Sequence, residues 1–423
     1  MYYGEKRVKN PIRWGMVGGG RGSQIGYIHR SAALRDFNFQ LVAGAFDIDP
    51  ARGKDFGEQL HVAADRCYPD YKTMFVEEAK RPDGVQAVSI ATPNGMHYEV
   101  CKAALEAGLH VVCEKPLCFT SEQADELVKL AEEKHRVVGV TYGYSGHQLI
   151  QQARQMIKNG DLGEIRVINM SFAFGGYNFK IEDKVPSAKW RFDPSKAGPS
   201  FALGDVGTHP LFIIEAMIPD MKIDNLMCTK RSFVEGRELE DNAFVIMNLK
   251  GSESVQAGAQ VYCWASSINS GARHYHKIRV VGSKASLEWD DERPNQMLYE
   301  IEGEPSRVLE RGAGYLTDEA RVEDRIGGGH AEGLFEGVEQ PVRTLRRRHG
   351  GRRQGCLRRL LVSGRQGRRT GHQMDRKVRG IRRQGFRMGG LRIIPSTAYP
   401  QKSSDSISFL LYICYYLISE ERL

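Results

Sequence analysis

The sequence has no paired cysteines and no long apolar run. None of its eight cysteines stands in a CxxC pair, so neither a disulfide framework nor a cysteine-ligated metal site is expected, and no metal is predicted. The one strongly apolar run, Ser406–Ile418, is shorter than the ~20 residues that a membrane helix needs. The polar segment Met1–Asn10 lacks the apolar core of a signal peptide. Together these absences predict a cytoplasmic protein without a membrane segment.

Acidic residues are nearly absent from one late block, residues 341–392. The block holds seventeen arginines, one lysine and a single acid, so it carries a formal charge of +17. Because the whole chain carries +8 and residues 393–423 carry −1, residues 1–340 carry −8. With 41% hydrophobic and 26% charged residues among 423, the composition is globular and leaves room for two or three domains. The acidic body gives no reason to expect a nucleic-acid partner.

Strands and helices alternate along the first 140 residues. Short apolar runs indicate strands, and each is followed by a segment with helical spacing. Gly108 is predicted to end one of these helices, and Ser121 to cap the next. The alternation predicts a parallel, doubly wound sheet of the α/β class. The predicted strands are Ile12–Val17, Gln40–Phe46, Gly84–Ala91, Leu109–Cys113 and Arg136–Thr141.

A glycine-rich turn follows the first strand directly. The run from Gly18 to Ser23 precedes a helix that extends to about Leu34, which is the arrangement of a dinucleotide-binding turn. Gly18 allows the tight turn, and Gly20 lets the backbone approach a pyrophosphate at the helix N-terminus. The third motif position holds Ser23 instead of glycine. The turn therefore predicts an NAD(P)-binding domain.

An acidic residue, Asp47, follows the second strand. There it would accept hydrogen bonds from both ribose hydroxyls and repel a 2′-phosphate, which favours NAD over NADP. Two alternatives stay open. Asp47 also fits a helix cap in the turn that ends at Pro50, and Arg52 could accept the phosphate of NADP.

Further motifs follow in a distinctive order. They are Ala91-Thr92-Pro93-Asn94 with His97, Glu114-Lys115-Pro116, Trp190-Arg191 and the run from Gly204 to His209. With them, the chain from about Ile12 to Glu336 resembles the Gfo/Idh/MocA oxidoreductases. The resemblance implies a Rossmann domain over residues 1–142, then an α/β domain over residues 143–336 with an open, largely antiparallel sheet. It also implies NAD(P)-dependent oxidation of a sugar or polyol hydroxyl, and a homo-oligomer built on the second sheet.

Apolar alternation in the second half of the chain fits such a sheet. Strands of this kind bury one face and expose the other. The strands predicted there are Glu164–Phe174, Ala243–Leu249, Ser254–Trp264, Lys277–Gly282 and Ala285–Trp289.

The candidate catalytic residues follow from the chemistry of alcohol oxidation, which needs a base for the hydroxyl proton while hydride goes to nicotinamide. His209 is the candidate base, because histidine titrates near neutral pH. If this segment is helical, Asp205 lies on the same face, where it would share a substrate hydroxyl or orient His209. Lys115 would donate to the reacting oxygen and disfavour protonated His209. The resemblance implies that Lys115, Asp205 and His209 form the catalytic set.

The resemblance assigns contacts to the remaining motif residues. Taken alone, each fits a turn or a surface pair, and His97 fits the start of a helix. His274 and His276 are expected to face solvent, whereas Tyr142 and Tyr144 either line the cleft or belong to the core. The implied cofactor contacts are Gly18, Gly20, Arg21, Ser23, Asp47, Thr92, Asn94, His97, Glu114 and Lys115. The implied substrate contacts are Lys115, Trp190, Arg191, Asp205, His209 and His330.

The pattern breaks at about Gly337, and residues 337–423 are predicted to form an Arg-rich, irregular tail. Where the family has amphipathic helices, this tail has no sustained apolar face. A frameshift is one explanation: with one choice of synonymous codons, deleting a base turns Glu336–Leu345 into Glu-Ala-Trp-Ser-Asn-Leu-Tyr-Ala-Arg, a helical sequence. The rival interpretation is a genuine basic tail that binds nucleic acid. A non-catalytic or inactive cofactor-binding protein of the same fold also stays open.

Overall fold

The chain forms two sheets, each packed against its own helices. In a computed structural model of the chain, the described residues are 10–35, 37–322, 324, 326–334 and 392–394. A parallel sheet comes first and a largely antiparallel sheet second, which confirms the predicted fold class. Within the described part of the chain, no helix has the length and apolar character needed to cross a membrane. Apart from residues 392–394, the predicted tail lies outside the described residues.

The first sheet is parallel throughout, with strand order β2-β1-β3-β4-β5. Trp14 and Met16 share one core with residues of helices α1 and α2, whereas Val17 shares another core with residues of α3, α4 and α5. Helices therefore cover both faces, as a doubly wound sheet requires. The strands are β1 (Ile12–Gly18), β2 (Phe39–Ala45), β3 (Ala87–Ala91), β4 (His110–Cys113) and β5 (Val138–Val140). The helices are α1 (Gln24–Leu34), α2 (Pro50–Gln59), α3 (Tyr71–Ala79), α4 (His97–Glu106) and α5 (Ser121–Glu133).

Local sequence signals set the ends of these helices. Gly108 has a φ of 75° just beyond α4, and its amide donates to the carbonyl of Leu105, so the predicted stop is confirmed. The predicted cap of α5 is wrong by one residue, because Thr120 and not Ser121 is the N-cap. The Thr120 hydroxyl accepts from the Gln123 amide, and the Gln123 side chain accepts from the Thr120 amide in return.

The second sheet has the strand order β13-β12-β11-β10-β6-β9-β8-β7-β14. Its neighbouring strands are antiparallel except β6 and β9, which are parallel. The strands are β6 (Ile165–Ala173), β7 (Ile223–Arg231), β8 (Asn242–Leu249), β9 (Val255–Ser266), β10 (His276–Gly282), β11 (Ala285–Asp290), β12 (Gln296–Ile301), β13 (Arg307–Glu310) and β14 (Arg392–Ile394). The helices are α6 (Gln148–Lys158), α7 (Pro194–Ala197), α8 (Thr208–Met217) and α9 (Asp318–Arg321).

One face of the second sheet packs against α6 and α8 in a single large core. On the other face, Phe244 and Tyr262 remain 46% and 39% exposed, so the sheet is open on that side. Alternation along β8 and β9 explains this, because successive side chains point to opposite faces. The sequence missed β7, β12 and β13, in which polar residues interrupt the apolar runs.

Candidate functional site

The glycine-rich turn lies between β1 and α1, where the sequence placed it. Ser23 caps α1, and its hydroxyl accepts from the Gly26 amide at 3.0 Å. A Cβ atom at Gly20 would lie 2.5 Å from the carbonyl oxygen of Phe46, so only glycine lets the turn pass the end of β2. Arg21 is exposed and pairs with Asp55. The turn thus brings backbone close to the ends of both strands.

Gly26, which the sequence reasoning did not single out, supplies the close helix contact of this turn. A Cβ atom at Gly26 would lie 2.2 Å from the carbonyl oxygen of Gly19. The glycine that allows close helix packing is therefore three positions beyond Ser23, inside α1. Its signal in the sequence is a glycine in the first turn of an otherwise ordinary helix.

Asp47 lies just after β2 and is largely buried, with its side chain 15% exposed. Its carboxylate is 3.2 Å from the Arg52 guanidinium and accepts from the Asp49 amide. The capping role in this turn belongs to Asp49, whose carboxylate accepts from the amides of Ala51 and Arg52 at the start of α2. The alternative interpretation of Asp47 as the helix cap is therefore not needed.

His97 connects the loops that follow β3 and β4. It is fully buried at the start of α4, with Nδ1 2.7 Å from the carbonyl oxygen of Pro116 and Nε2 2.9 Å from that of Thr92. Burial lowers the pKa of His97, although both carbonyls oppose the shift. His97 thus holds two loops together, and Asn94 is buried beside it in the first loop. The Thr92 hydroxyl is buried and has no hydrogen-bond partner among the described residues.

Glu114 joins the end of β4 to α1 and β5. One of its carboxylate oxygens accepts from His29 at 2.9 Å and from the Thr141 hydroxyl. Burial alone would raise the pKa of Glu114, but His29, Thr141 and Lys115 together hold it below its ordinary value. Glu114 is therefore charged, and its neighbour Lys115 is one of the groups that keep it so.

Lys115, Asp205 and Arg191 form a compact charged group between the two sheets. Lys115 Nζ is 2.6 Å from Asp205 Oδ1, and Arg191 Nε is 3.4 Å from Asp205 Oδ2. Burial would raise the pKa of Asp205, but the two cations hold it below its ordinary value. The Arg191 guanidinium in turn lies 4.5 Å from the ring centroid of Trp190. The structure thus brings four of the predicted site residues together.

Asp205 does not lie on a regular helix with His209. It belongs to a π-helical turn, Ala202–Gly207, which leads into α8. A π-helical turn is wider than an α-helical turn, so the assumed i, i+4 alignment is altered. Among the described residues, the Asp205 carboxylate pairs with Lys115 and Arg191 and not with the imidazole of His209.

His209 lies in the first turn of α8 within a group of aromatic rings. Its ring centroid is 5.1 Å from that of Tyr144 and 5.7 Å from that of Tyr142. Nδ1 is buried and has no hydrogen-bond partner in the described ranges. The pKa of His209 lies well below its ordinary value, because burial disfavours the charged form and nearby Lys115 adds to the effect. A neutral imidazole is the form that can accept a proton.

The expectation that His276 faces solvent is wrong, and His274 is only partly exposed. His276 is completely buried and stacks on Phe172 at 4.5 Å, whereas His274 is partly buried and binds Asp291. Both rings pack against Tyr144, with centroids 5.9 Å (His274) and 4.7 Å (His276) from that of Tyr144. The Tyr144 hydroxyl is 3.4 Å from His274 Nε2. Sequence reasoning missed this group because its members become neighbours only when β10 pairs with β11.

The structure does not place His330 beside Lys115, Asp205 and His209. It is exposed, its carbonyl accepts from Arg311, and its Nδ1 lies 3.2 Å from the carbonyl oxygen of Gly327. Among the described residues, the hydrogen bonds of His330 are with Arg311 and Gly327 and not with Lys115 or His209.

Comparison with known proteins supplies the family. The profile of the GFO_IDH_MocA oxidoreductases with an NAD-binding Rossmann fold matches residues 12–142, and that of their C-terminal alpha/beta domain matches residues 154–367. The uncharacterized oxidoreductase YfiI of Bacillus subtilis is 54% identical over 339 residues, which are 79% of this chain and 85% of YfiI.

Comparison with solved structures leads to the same family. An inositol dehydrogenase homolog from Azotobacter vinelandii, complexed with NAD+, is 59% identical with a TM-score of 0.79, over 82% of this chain and 88% of that chain. A structure of an inositol dehydrogenase homolog from the same organism with NADH and myo-inositol is 58% identical with a TM-score of 0.76, over the same shares of both chains. The chain therefore belongs to the Gfo/Idh/MocA family of oxidoreductases, with an NAD-binding Rossmann fold followed by a C-terminal α/β domain.

Proposed function

We propose that the chain is an NAD-dependent dehydrogenase that transfers hydride between nicotinamide and a secondary hydroxyl of a cyclic polyol of the inositol kind. The observation that carries the proposal is the placement of Lys115, Asp205 and His209 between the two sheets. The relative of known structure that holds NADH and myo-inositol supports both the cofactor and the substrate class.

The residues after β1 and β2 fit a dinucleotide. The Ser23 hydroxyl accepts a hydrogen bond from the Gly26 amide. No described residue accepts from the amides of Gln24 and Ile25, which lie at the positive, N-terminal end of α1. Those amides suit a pyrophosphate, and the orphaned Thr92 hydroxyl suits a second polar group of the cofactor. Asp47 suits the ribose hydroxyls and favours NAD over NADP, although Arg52 lies beside it.

Three side chains would carry the proton chemistry. Bound NAD⁺ accepts the hydride. Lys115 donates to the reacting oxygen and so stabilises negative charge that develops on it. Neutral His209 takes the hydroxyl proton, and its low pKa keeps it in the basic form at neutral pH. Asp205, held by Lys115 and Arg191, accepts from a neighbouring substrate hydroxyl and fixes the ring orientation.

The open face of the second sheet is the proposed oligomer surface. Phe244 and Trp264 stack there with ring centroids 5.7 Å apart, and Tyr262 lies on the same exposed side. Exposed aromatic area of this kind is typical of protein interfaces.

A substrate panel tests the proposed function. The purified full chain is mixed with NAD⁺ and with inositol stereoisomers, aldoses and acyclic polyols in turn, and NADH is followed by absorbance. We expect reduction with at least one inositol and little with acyclic polyols. NAD⁺ binding by calorimetry without reduction by any member of the panel would instead favour a non-catalytic cofactor-binding protein.

A further inference from the structure

A second polar group packs against the Tyr144 ring. It consists of His274, His276 and Asp291, with His147 beside them. Antiparallel pairing of β10 with β11 brings the two histidines next to Asp291, because Lys277 faces Asp290 in the register. One candidate ligand atom from each of the three residues lies within 4.8 Å of the others. His147 Nε2 lies 3.9 Å from the other carboxylate oxygen of Asp291.

His276 has no ordinary structural explanation. Its side chain is completely buried between Phe172 and Trp289, and neither ring nitrogen has a hydrogen-bond partner among the described residues. Buried polar atoms in native proteins are nearly always paired, because an unpaired one costs free energy. A hydrophobic residue would fill the same space without that cost. The two nitrogens therefore point to a group that the protein chain does not supply.

The donor set suits a metal ion. Both ring nitrogens of His276 are buried without a partner among the described residues, and a neutral imidazole offers a metal ion one lone pair. Asp291 supplies a negative charge, and His274 already contacts it through Nδ1. Zinc bonds of about 2.0–2.1 Å place tetrahedral ligand atoms roughly 3.4 Å apart, so small side-chain movements would complete the shell.

We propose that His274, His276 and Asp291 bind one divalent metal ion of the zinc class, with His147 positioned as a fourth donor. Histidine nitrogen with one carboxylate is a donor set that such ions prefer. The sequence predicted no metal, since its cysteines lack the spacing of a zinc site and these ligands are distant along the chain. The proposal does not depend on the proposed function, because it concerns binding alone.

The size of the group favours a small cation over a hydroxyl of the substrate. The three candidate ligand atoms lie within 4.8 Å of one another, whereas a polyol ring would need donors spread over a wider cleft. The Tyr144 ring contacts both histidines, with its centroid 4.7 Å from that of His276 and 5.1 Å from that of His209. A bound dication there would further disfavour protonated His209.

Cobalt titration tests the proposal on the full chain after treatment with a chelator. Co²⁺ in a tetrahedral nitrogen and oxygen site gives an intense visible spectrum, and zinc added afterwards should abolish it. We expect one equivalent to bind. His274→Gln, Asp291→Asn and His276→Phe should each weaken binding at least about tenfold, because each removes or neutralises one donor.

His135→Asn is the matched control, because His135 is exposed, lies in the first domain and has a φ of 52° that asparagine tolerates. His276→Phe keeps a ring against Phe172, and a thermal melt shows whether this variant folds. If it does not fold, His274→Gln still tests the site, because His274 is at a partly exposed position. The control should bind cobalt as the unmodified chain does. The metal site would be overturned if the unmodified chain gave no cobalt spectrum. It would also be overturned if the three ligand variants bound cobalt as tightly as the His135→Asn control. If KM for a polyol rose in His274→Gln without metal binding, the group would be a substrate contact instead.

Discussion

Lys115 Nζ lies 2.6 Å from Asp205 Oδ1 and 2.9 Å from the backbone oxygen of Asp205. Lys115 follows β4 of the first sheet, and Asp205 precedes α8 beside the second, so this ion pair joins the two halves of the molecule. Both side chains are largely buried, at 14% and 17% exposed. A partly buried pair of this kind fixes the geometry between the cofactor side and the substrate side. If Lys115 is removed, Arg191 remains as the partner of Asp205.

The first prediction concerns Lys115→Met, which keeps most of the side-chain volume but removes the charge. We expect kcat to fall by roughly 10²–10⁴-fold, because the reacting oxygen loses its donor. NAD⁺ affinity, measured by calorimetry, should change little. Lys129→Ala, at an exposed position on α5, is the control and should keep full activity. Turnover within a few-fold of the unmodified chain would remove Lys115 from the catalytic set.

The pH dependence of oxidation should report on His209. Lys115, His274 and His276 act on its charge, and the rings of Tyr142 and Tyr144 pack against it. Because burial and Lys115 lower its pKa well below the ordinary value of 6.5, the ring is neutral above that pH. The base must be neutral to act, so kcat/KM should stay level above pH 6.5 and fall only in more acid solution. The acid limb should disappear in His209→Gln along with most of the activity, and an acid limb centred near or above 6.5 would count against a depressed pKa.

Cofactor choice should depend on Asp47. Asp47→Ser removes the carboxylate that repels a 2′-phosphate and frees Arg52, which now lies 3.2 Å from Asp47. We expect the ratio of kcat/KM with NADP⁺ to that with NAD⁺ to rise at least about tenfold, on the basis of about 1.4 kcal/mol for one lost charged contact. Asp49→Asn keeps the cap of α2 and serves as the control. An unchanged ratio in Asp47→Ser would assign the ribose contact to another residue.

Most of the first sheet could be predicted from local sequence patterns, because each of its strands is a short apolar run bounded by turn residues. Leu109–Cys113 was predicted as a strand, and His110–Cys113 is one. The catalytic set came from the resemblance. The structure pairs two of its members, Lys115 and Asp205, and adds Arg191 to them. That grouping could not be derived from spacing, since it depends on how the second sheet lies against the first.

The features that were missed depend on pairing between distant segments. The burial of His276 was missed because it stands between Tyr275 and Lys277 in the sequence. Alternation of side chains along a strand does not say which of the two faces is buried. The π-helical turn at Asp205 could not be read from sequence, because its wider winding depends on packing. Gly26 was overlooked because a single glycine inside a helix carries a weak signal.

The reading frame after about Gly337 gives a further prediction. Residues 337–423 lie outside the described residues except for 392–394, so the frameshift hypothesis rests on the composition break and on the helical sequence that a one-base deletion recovers. We expect the gene to contain a position near codon 337 where a one-base change opens a frame that encodes amphipathic helices. Protein made from that corrected frame should be more soluble and melt at a higher temperature, because the second sheet regains apolar partners. The hypothesis fails if no single-base change opens such a frame.

The most direct test of the account follows the hydride itself. The unmodified chain is incubated with NAD⁺ and myo-inositol deuterated at its ring carbons, and the reduced cofactor is examined by mass spectrometry. The account predicts that one deuterium passes to the nicotinamide in the unmodified chain and that the transfer is lost in both Lys115→Met and His209→Gln. Transfer at an undiminished rate in both variants, or reduced cofactor that contains no deuterium, would contradict it.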